Sequence, residues 1–131
     1  MALDHRALPD DALAFLAERH LATLTTLRPD GTPHVAPVGF GFDPGDGLVR
    51  VITFAGSRKA RNLMSSPGSR AVVCQVDGGR WLALEGSAEA TADPHRVAAA
   101  VAAYAARYRQ PSERPDRVAI EITVDRILGR A

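Results

Sequence analysis

The segment LATLTTLRPDGTPHVAPVGFGFDPGDGLVRVITF, residues 21–54, decides the fold. Three largely apolar runs in it are separated by the turn-forming groups Pro-Asp-Gly and Asp-Pro-Gly-Asp-Gly. Pro, Gly and Asp at such spacing are typical of tight connections between antiparallel strands. The segment therefore predicts a meander of β-hairpins.

Outside this segment, three more strands are predicted. RAVVCQV and RWLALEGSAEAT are joined through Asp-Gly-Gly, and VAIEITVDRIL alternates strictly, with Val118, Ile120, Ile122 and Val124 on one face. The six predicted strands cover residues 21–28, 33–42, 48–54, 70–76, 80–91 and 118–128. Consecutive hairpins argue against a parallel Rossmann sheet. The sequence predicts a mainly β (α+β) fold, a small closed or partly open six-stranded antiparallel barrel with three inserted helices.

Three helices are predicted between the strands. The first lies in PDDALAFLAERH, with Asp10 or Asp11 as its N-cap, and the second lies in SRKARNLMSS, with Ser57 as its N-cap. The third spans 93–108, where Asp93 is the expected cap and a proline takes the first helical position. Each helix is short, so the strands carry most of the predicted fold.

Length and composition limit the function classes. The chain has 131 residues, a net charge of +1 and one cysteine, Cys74, which is expected to be buried in a strand. These values predict one domain over residues 1–131, no disulfide framework, and no charge-driven binding to nucleic acid or membrane. No apolar run is long enough for a signal or a membrane span, so a cytoplasmic location is expected.

The stretch TFAGSRKARNL, residues 53–63, contains the only lysine of the chain. If Ser57 caps the helix, Arg58 and Lys59 lie in its first turn, where cations oppose the helix dipole. The arrangement becomes favourable when an anion binds the free N–H groups there. Gly56 has no side chain, so the backbone of the chain can approach that anion closely. Phosphate is the natural ligand. The alternative is a basic surface helix that only confers solubility.

Motifs for self-contained catalysis are not found in the sequence. GFGFDPG joins strand to strand, so it is not a dinucleotide fingerprint. The four histidines have no metal-type spacing, and no serine lies in a nucleophile elbow. We therefore predict no metal site and identify no catalytic residue, and we expect a cofactor to supply the chemistry.

Several motifs follow one another in a familiar order between residues 10 and 129: a capped helix, PDGTPHVAPVGF, VRVITF, AGSRKARNL and GGRWLALEGSAEA. This order resembles the flavin-binding split-barrel superfamily, which includes pyridoxamine 5'-phosphate oxidase and its deazaflavin-using relatives. The resemblance implies a split β-barrel and a homodimer, with the cofactor lying across the barrel at the subunit interface.

The resemblance also implies which residues bind the cofactor. Its phosphate would meet Ser57, Arg58 and Lys59, which accounts for the single lysine. The partner subunit would contribute Arg80 and Trp81. The full set of matching cofactor positions is Ala36, Pro37, Val38, Gly39, Ile52, Thr53, Phe54, Gly56, Ser57, Arg58, Lys59, Asn62, Arg80 and Trp81. For Val38, Ile52 and Trp81 the alternative is ordinary barrel core.

Two departures bear on the cofactor and the substrate. Pyridoxamine phosphate oxidases carry an arginine where this chain has Ala36, and a C-terminal Arg-X-His element that is missing from DRILGRA. Both differences count against vitamin B6 chemistry. DDALAFLAERHLATLTTLRPDGTPHVAPVGF, QVDGGRWLALEG and RYRQP are instead similar to the group of biliverdin reductases that use coenzyme F420.

That similarity implies hydride transfer from coenzyme F420 to a conjugated substrate, most specifically to the central methine bridge of biliverdin. The propionates of such a tetrapyrrole would meet an exposed arginine, with Arg107, Arg109 and Arg80 as candidates. Three alternatives stay open: an FMN-dependent oxidoreductase on the same barrel, a non-catalytic carrier of coenzyme F420 or a tetrapyrrole, and a different substrate for coenzyme F420.

Overall fold

Residues 2–131 are described by the structure, a computed structural model, and they form eight strands and three helices. In chain order the elements are β1 (Ala2–Leu3), α1 (Asp10–Ala17), β2 (Ala22–Leu27), β3 (Pro33–Val38), β4 (Gly41–Asp43), β5 (Leu48–Phe54), α2 (Arg58–Ser65), β6 (Arg70–Asp77), β7 (Arg80–Thr91), α3 (Pro94–Arg107) and β8 (Arg117–Arg130). The chain is therefore mainly β with three helices, as the sequence predicts.

All eight strands belong to one antiparallel sheet. Its order is β3-β2-β6-β7-β8-β5-β4, and β1 pairs with β8. The predicted count of six strands is too low, because β1 is added and the predicted strand 33–42 divides into β3 and β4. Among residues 2–131 the edge strands β3 and β4 do not pair with each other. The sheet is thus open along this path, and a closed six-stranded barrel is not confirmed.

The break between β3 and β4 coincides with a close approach of α3. A Cβ on Gly39 would lie 2.9 Å from ring carbons of both Tyr104 and Tyr108, and a Cβ on Gly41 would be equally close to the helix. The Phe40 N–H, between the two glycines, donates to the Tyr108 hydroxyl at 3.3 Å. The chain therefore leaves the strand where its backbone contacts the helix, and glycine is needed because a side chain would collide there.

Alternation along the strands places one face of the sheet in the core. Val118, Ile120, Ile122 and Val124 on β8 are all buried, as predicted, and the last three belong to a core that includes residues of α1 and α2. Cys74 differs from the prediction. It is only half-buried and lies on the face of β6 opposite the core residues of that strand. Burial still raises the pKa of its thiol.

The capping predictions are confirmed for two helices and wrong for one. Ser57 accepts a hydrogen bond from the Ala60 N–H at 3.3 Å, and the Asp93 carboxylate accepts one from the first turn of α3 at 3.0 Å. At α1 the N-cap is Pro9, which has no side-chain acceptor, and Asp10 is already helical. No helix within residues 2–131 is long and apolar enough to cross a membrane.

Candidate cofactor-binding site

A cavity of about 310 Å³ lies where the ends of β3 and β5 meet α2, α3 and the segment that leads into β8. Its lining residues are Pro37, Val38, Gly39, Ile52, Thr53, Phe54, Lys59, Tyr104, Pro111, Arg114 and Arg117. The first seven are all residues that the sequence predicts to contact a cofactor. The end of β3 therefore meets the end of β5 and the lysine turn, residues 57–59, at one cavity.

The turn between β5 and α2 is fixed by Ser57, which is buried. Its N–H donates to the Phe54 carbonyl at 3.0 Å, and its hydroxyl oxygen accepts from the Thr53 hydroxyl at 3.0 Å and from the Ala60 N–H at 3.3 Å. These bonds start α2 directly after the strand. The result is that Lys59, in the first turn of α2, lies on the cavity wall.

Lys59 is half-buried, and its ammonium group has no hydrogen-bond or ion-pair partner among residues 2–131. Burial lowers the pKa of Lys59 below its ordinary value, because the charged form loses hydration. Arg114 and Arg117 line the same cavity, and none of its lining residues is acidic. Lys59 and Arg117 have no side-chain partner among residues 2–131, and an excess of positive charge over lining carboxylates makes the cavity attractive to anions.

The positive potential extends to His34 on β3. Burial is the largest cause of its lowered pKa, followed by the charges of Arg28, Lys59 and Arg58. The His34 Nδ1 is buried and has no partner among the described residues. This end of the sheet therefore carries four cationic or titratable side chains: Arg28, His34, Arg58 and Lys59. Sequence spacing did not reveal the group, because His34 comes close to the lysine turn only when α2 packs against β3 in the folded chain.

The segment before β8 forms another wall of the cavity. The Arg114 guanidinium lies 4.3 Å from the centre of the Phe54 ring. Its Nε donates to the Asp116 carboxylate at 2.7 Å, which holds the pKa of Asp116 below its usual range. The Asp116 carbonyl accepts from the Ala55 N–H at 2.9 Å, and Arg117 is the β8 partner of Phe54. The sequence motifs did not identify either arginine as a cavity residue.

The other predicted residues near the lysine turn lie outside the lining set. Ala36 is half-buried on β3, and Arg58 is exposed. Gly56 is exposed and has φ outside the left-handed region, and a Cβ there would come no closer than 3.7 Å to another residue, so nothing within the chain requires glycine. Asn62 is buried and donates to the Thr26 hydroxyl at 3.0 Å, while its Oδ1 has no partner among residues 2–131.

Arg80 and Trp81 begin β7 and do not line the cavity. Arg80 donates twice to the Glu18 carboxylate, at 2.9 Å each, and also to Asp77. The hydrogen bond from Arg80, with a smaller one from His20, lowers the pKa of Glu18 to about 2. Potential metal-ligand atoms of Glu18, His20 and Asp77 lie within 4.8 Å of one another, but Arg80 already bonds to both carboxylates.

Arg107 also lies outside this cavity, and its donors are directed inward. Its Nε donates to the Glu18 carbonyl at 2.8 Å, one Nη donates to the Phe40 carbonyl at 2.7 Å, and the other Nη donates to the Gln75 side chain. It faces a different cavity of about 450 Å³ between α1, β4 and α3. Arg109 is exposed and lines neither cavity. The structure thus joins Arg107 to the fold and leaves Arg109 at the surface.

Comparison of the whole chain with known proteins bears on what this cavity binds. A relative 56% identical over 124 residues, which covers 95% of this chain and 89% of the relative, is the F420H(2)-dependent biliverdin reductase of Mycobacterium tuberculosis (strain CDC 1551 / Oshkosh). A solved structure described as an F420 reductase is 26% identical, with a TM-score of 0.73 over 92% of this chain and 98% of that one. A conserved hypothetical protein from Mycobacterium tuberculosis is also 26% identical, with a TM-score of 0.76 over 95% of this chain and 85% of that one.

The family model described as pyridoxamine 5'-phosphate oxidase matches residues 8–131. The match includes every strand that lines the cavity and the lysine turn itself. It agrees with the split-barrel resemblance seen in the motifs, and the solved relatives have a fold similar to that of this chain. The chain therefore belongs to the pyridoxamine 5'-phosphate oxidase family.

Proposed function

We propose that this protein is a reductase that uses reduced coenzyme F420 and converts biliverdin to bilirubin. The observation that carries the proposal is the 56% identity to an F420H(2)-dependent biliverdin reductase over 95% of the chain. The cavity supports it independently, because its apolar walls and the partnerless cations Lys59 and Arg117 suit a flat, anionic cofactor. No lining residue supplies redox chemistry of its own, so the chain needs a bound group.

The residues of the cavity fit this coenzyme. Lys59 and the free N–H groups at the start of α2 would bind its phosphate, with Ser57 holding the turn and Arg58 adding charge. The apolar set Pro37, Val38 and Ile52 would pack against the ring. When bound, the reduced coenzyme supplies a hydride for the central methine bridge of biliverdin. The two strands would hold ring and substrate together and exclude water from between them.

A homodimer is part of the proposal. Leu27, Val35 and Val76 lie on the neighbouring strands β2, β3 and β6, and are 38%, 58% and 60% exposed. Large apolar side chains on adjacent strands favour burial against another surface, and a second copy of the chain is the occupant that the family resemblance implies. Light scattering after gel filtration should give a dimer mass, and Val35→Glu with Val76→Glu should give a monomer mass.

One domain over residues 1–131 and a cytoplasmic location complete the proposal. Limited proteolysis of the folded protein should produce no stable internal fragment if there is one domain. Two separately stable fragments would contradict it.

The first test is titration of the purified protein with coenzyme F420 and, separately, with FMN, followed by fluorescence quenching. Micromolar or tighter binding of coenzyme F420 with much weaker binding of FMN supports the proposal. The protein should then convert biliverdin to bilirubin with the reduced coenzyme. Preference for FMN would make the protein a flavin oxidoreductase, and tight binding of coenzyme F420 without turnover would make it a carrier.

A further inference from the structure

Arg114 and Arg117 are the two cavity residues that no sequence motif accounted for. Arg114 is held on the Phe54 ring, and it uses its Nε and one Nη on Asp116, so its second Nη has no partner among residues 2–131. Arg117 is half-buried at the start of β8, and its side chain has no hydrogen bond or ion pair among the described residues. Both residues line the same cavity.

Three other arginines, on β6, β7 and α3, form ion pairs, whereas the exposed Arg126 on β8 forms none. Arg70 donates to Asp125 and Glu85, Arg80 to Glu18 and Asp77, and Arg96 to Glu89 and Glu121. Arg117 lies on β8, yet the cavity that it shares with Lys59 has no acidic lining residue, and it forms no ion pair with Glu113, which lines a neighbouring cavity of about 680 Å³ with it. A half-buried guanidinium left without an acceptor is costly, and a carboxylate matches its planar fork. An anionic group of a ligand would supply the missing acceptor.

We infer that Arg114 and Arg117 bind the carboxylates of the substrate and make the site prefer conjugated substrates with two carboxylates. The inference rests on the proposed function, and it assigns the two propionates of biliverdin to these residues rather than to Arg107, Arg109 or Arg80. Under the proposed function, Lys59 on α2 would bind the phosphate of the coenzyme separately. Phe54, Tyr104 and Pro111 lie in the same cavity and give the apolar body of the substrate a surface to pack on.

The experiment measures equilibrium binding of biliverdin and of biliverdin dimethyl ester to protein loaded with coenzyme F420, followed by bilin absorbance. The variants are Arg114→Gln and Arg117→Gln. The matched control is Arg126→Gln, which removes an exposed arginine on β8 that does not line the cavity and has no side-chain partner among residues 2–131. Thermal melting of each variant shows that it is folded.

We expect each cavity variant to weaken biliverdin binding by about tenfold or more, the scale of one hydrogen bond to a charged group. The dimethyl ester should bind the wild-type protein more weakly than biliverdin does, and the variants should not weaken it further. Affinity for coenzyme F420 and the behaviour of Arg126→Gln should be unchanged.

Two results overturn the inference: loss of affinity for coenzyme F420 in the cavity variants, or equal weakening for biliverdin and its ester. The outcome for the proposed function is separate. Carboxylate-dependent binding without hydride transfer would refute the reductase proposal and leave the arginine assignment standing. Turnover of biliverdin with no dependence of binding on its carboxylates would refute the assignment alone, and binding of neither bilin would refute both.

Discussion

Arg107 and Lys59 are both half-buried cations, but the chain treats them in opposite ways. Arg107 donates to two backbone carbonyls and to Gln75, and it lies 4.6 Å from the centre of the Phe40 ring. Lys59 has no partner among residues 2–131 and faces a cavity with no acidic lining. Burial lowers the pKa of both groups. The two cations therefore differ in their hydrogen-bond partners and not in whether they are buried.

The difference separates a structural cation from a binding cation. Desolvation of a charge opposes folding, and hydrogen bonds to buried acceptors offset that cost for Arg107. Nothing in the described chain offsets it for Lys59, so the cost persists until an anion binds. Half-burial alone therefore says little about function, whereas half-burial without a partner points to a ligand.

Replacement of Arg107 should have the largest effect, and on stability. Arg107→Met keeps the aliphatic length but leaves the Phe40 and Glu18 carbonyls and the Gln75 side chain without this donor. The free energy of unfolding should fall by about 2–4 kcal/mol, since each buried acceptor left unsatisfied costs about 1–3 kcal/mol and some will recruit water. Chemical denaturation measures the loss. Arg109→Met, at an exposed position two residues along, is the control and should unfold like wild type.

Replacement of Lys59 should affect binding instead. Lys59→Ala should weaken coenzyme F420 binding by about 1–3 kcal/mol, the scale for an interaction with an ionised group, while the unfolding midpoint is unchanged or slightly higher. Fluorescence titration measures the affinity. Arg61→Ala removes an exposed cation from the same helix that does not line the cavity, and it should bind the coenzyme like wild type. Unchanged affinity in Lys59→Ala would refute the phosphate assignment.

The same pair of residues shows what the sequence could predict. Ser57 and Asp93 were identified as caps because capping joins residues three positions apart, and the lysine turn followed from the Ser57 cap. The prediction that Arg107 binds substrate took no account of its acceptors at Phe40 and Gln75, because both are remote in sequence. No local pattern indicates that such a guanidinium is already satisfied.

Strand pairing explains the other differences. Arg117 reaches the cavity because β8 pairs with β5, which places Arg117 opposite Phe54. The local sequence does not indicate this register. The division of the predicted strand 33–42 also depends on a distant element, because Tyr104 and Tyr108 of the α3 region pack on Gly39. Alternation and turn residues thus predicted the strands, whereas long-range contacts decided where one of them ended.

Coenzyme binding should depend on pH through Lys59. This effect is the smallest of the three at neutral pH, but it tests most directly whether Lys59 is a binding cation. In the free protein burial holds the pKa of Lys59 below 10.5, and a bound phosphate would raise it again by favouring the charged form. Affinity should therefore be full below the lowered pKa of Lys59 in the free protein, and it should fall as the pH rises through that value.

The control variant Lys59→Arg keeps its charge throughout, because a guanidinium does not deprotonate in this range. Dissociation constants for both proteins from about pH 7 to about pH 11 should then diverge only at the alkaline end, where wild type approaches Lys59→Ala. Titration of the coenzyme itself affects both proteins equally, so parallel curves would mean that the ammonium group does not contact the anion.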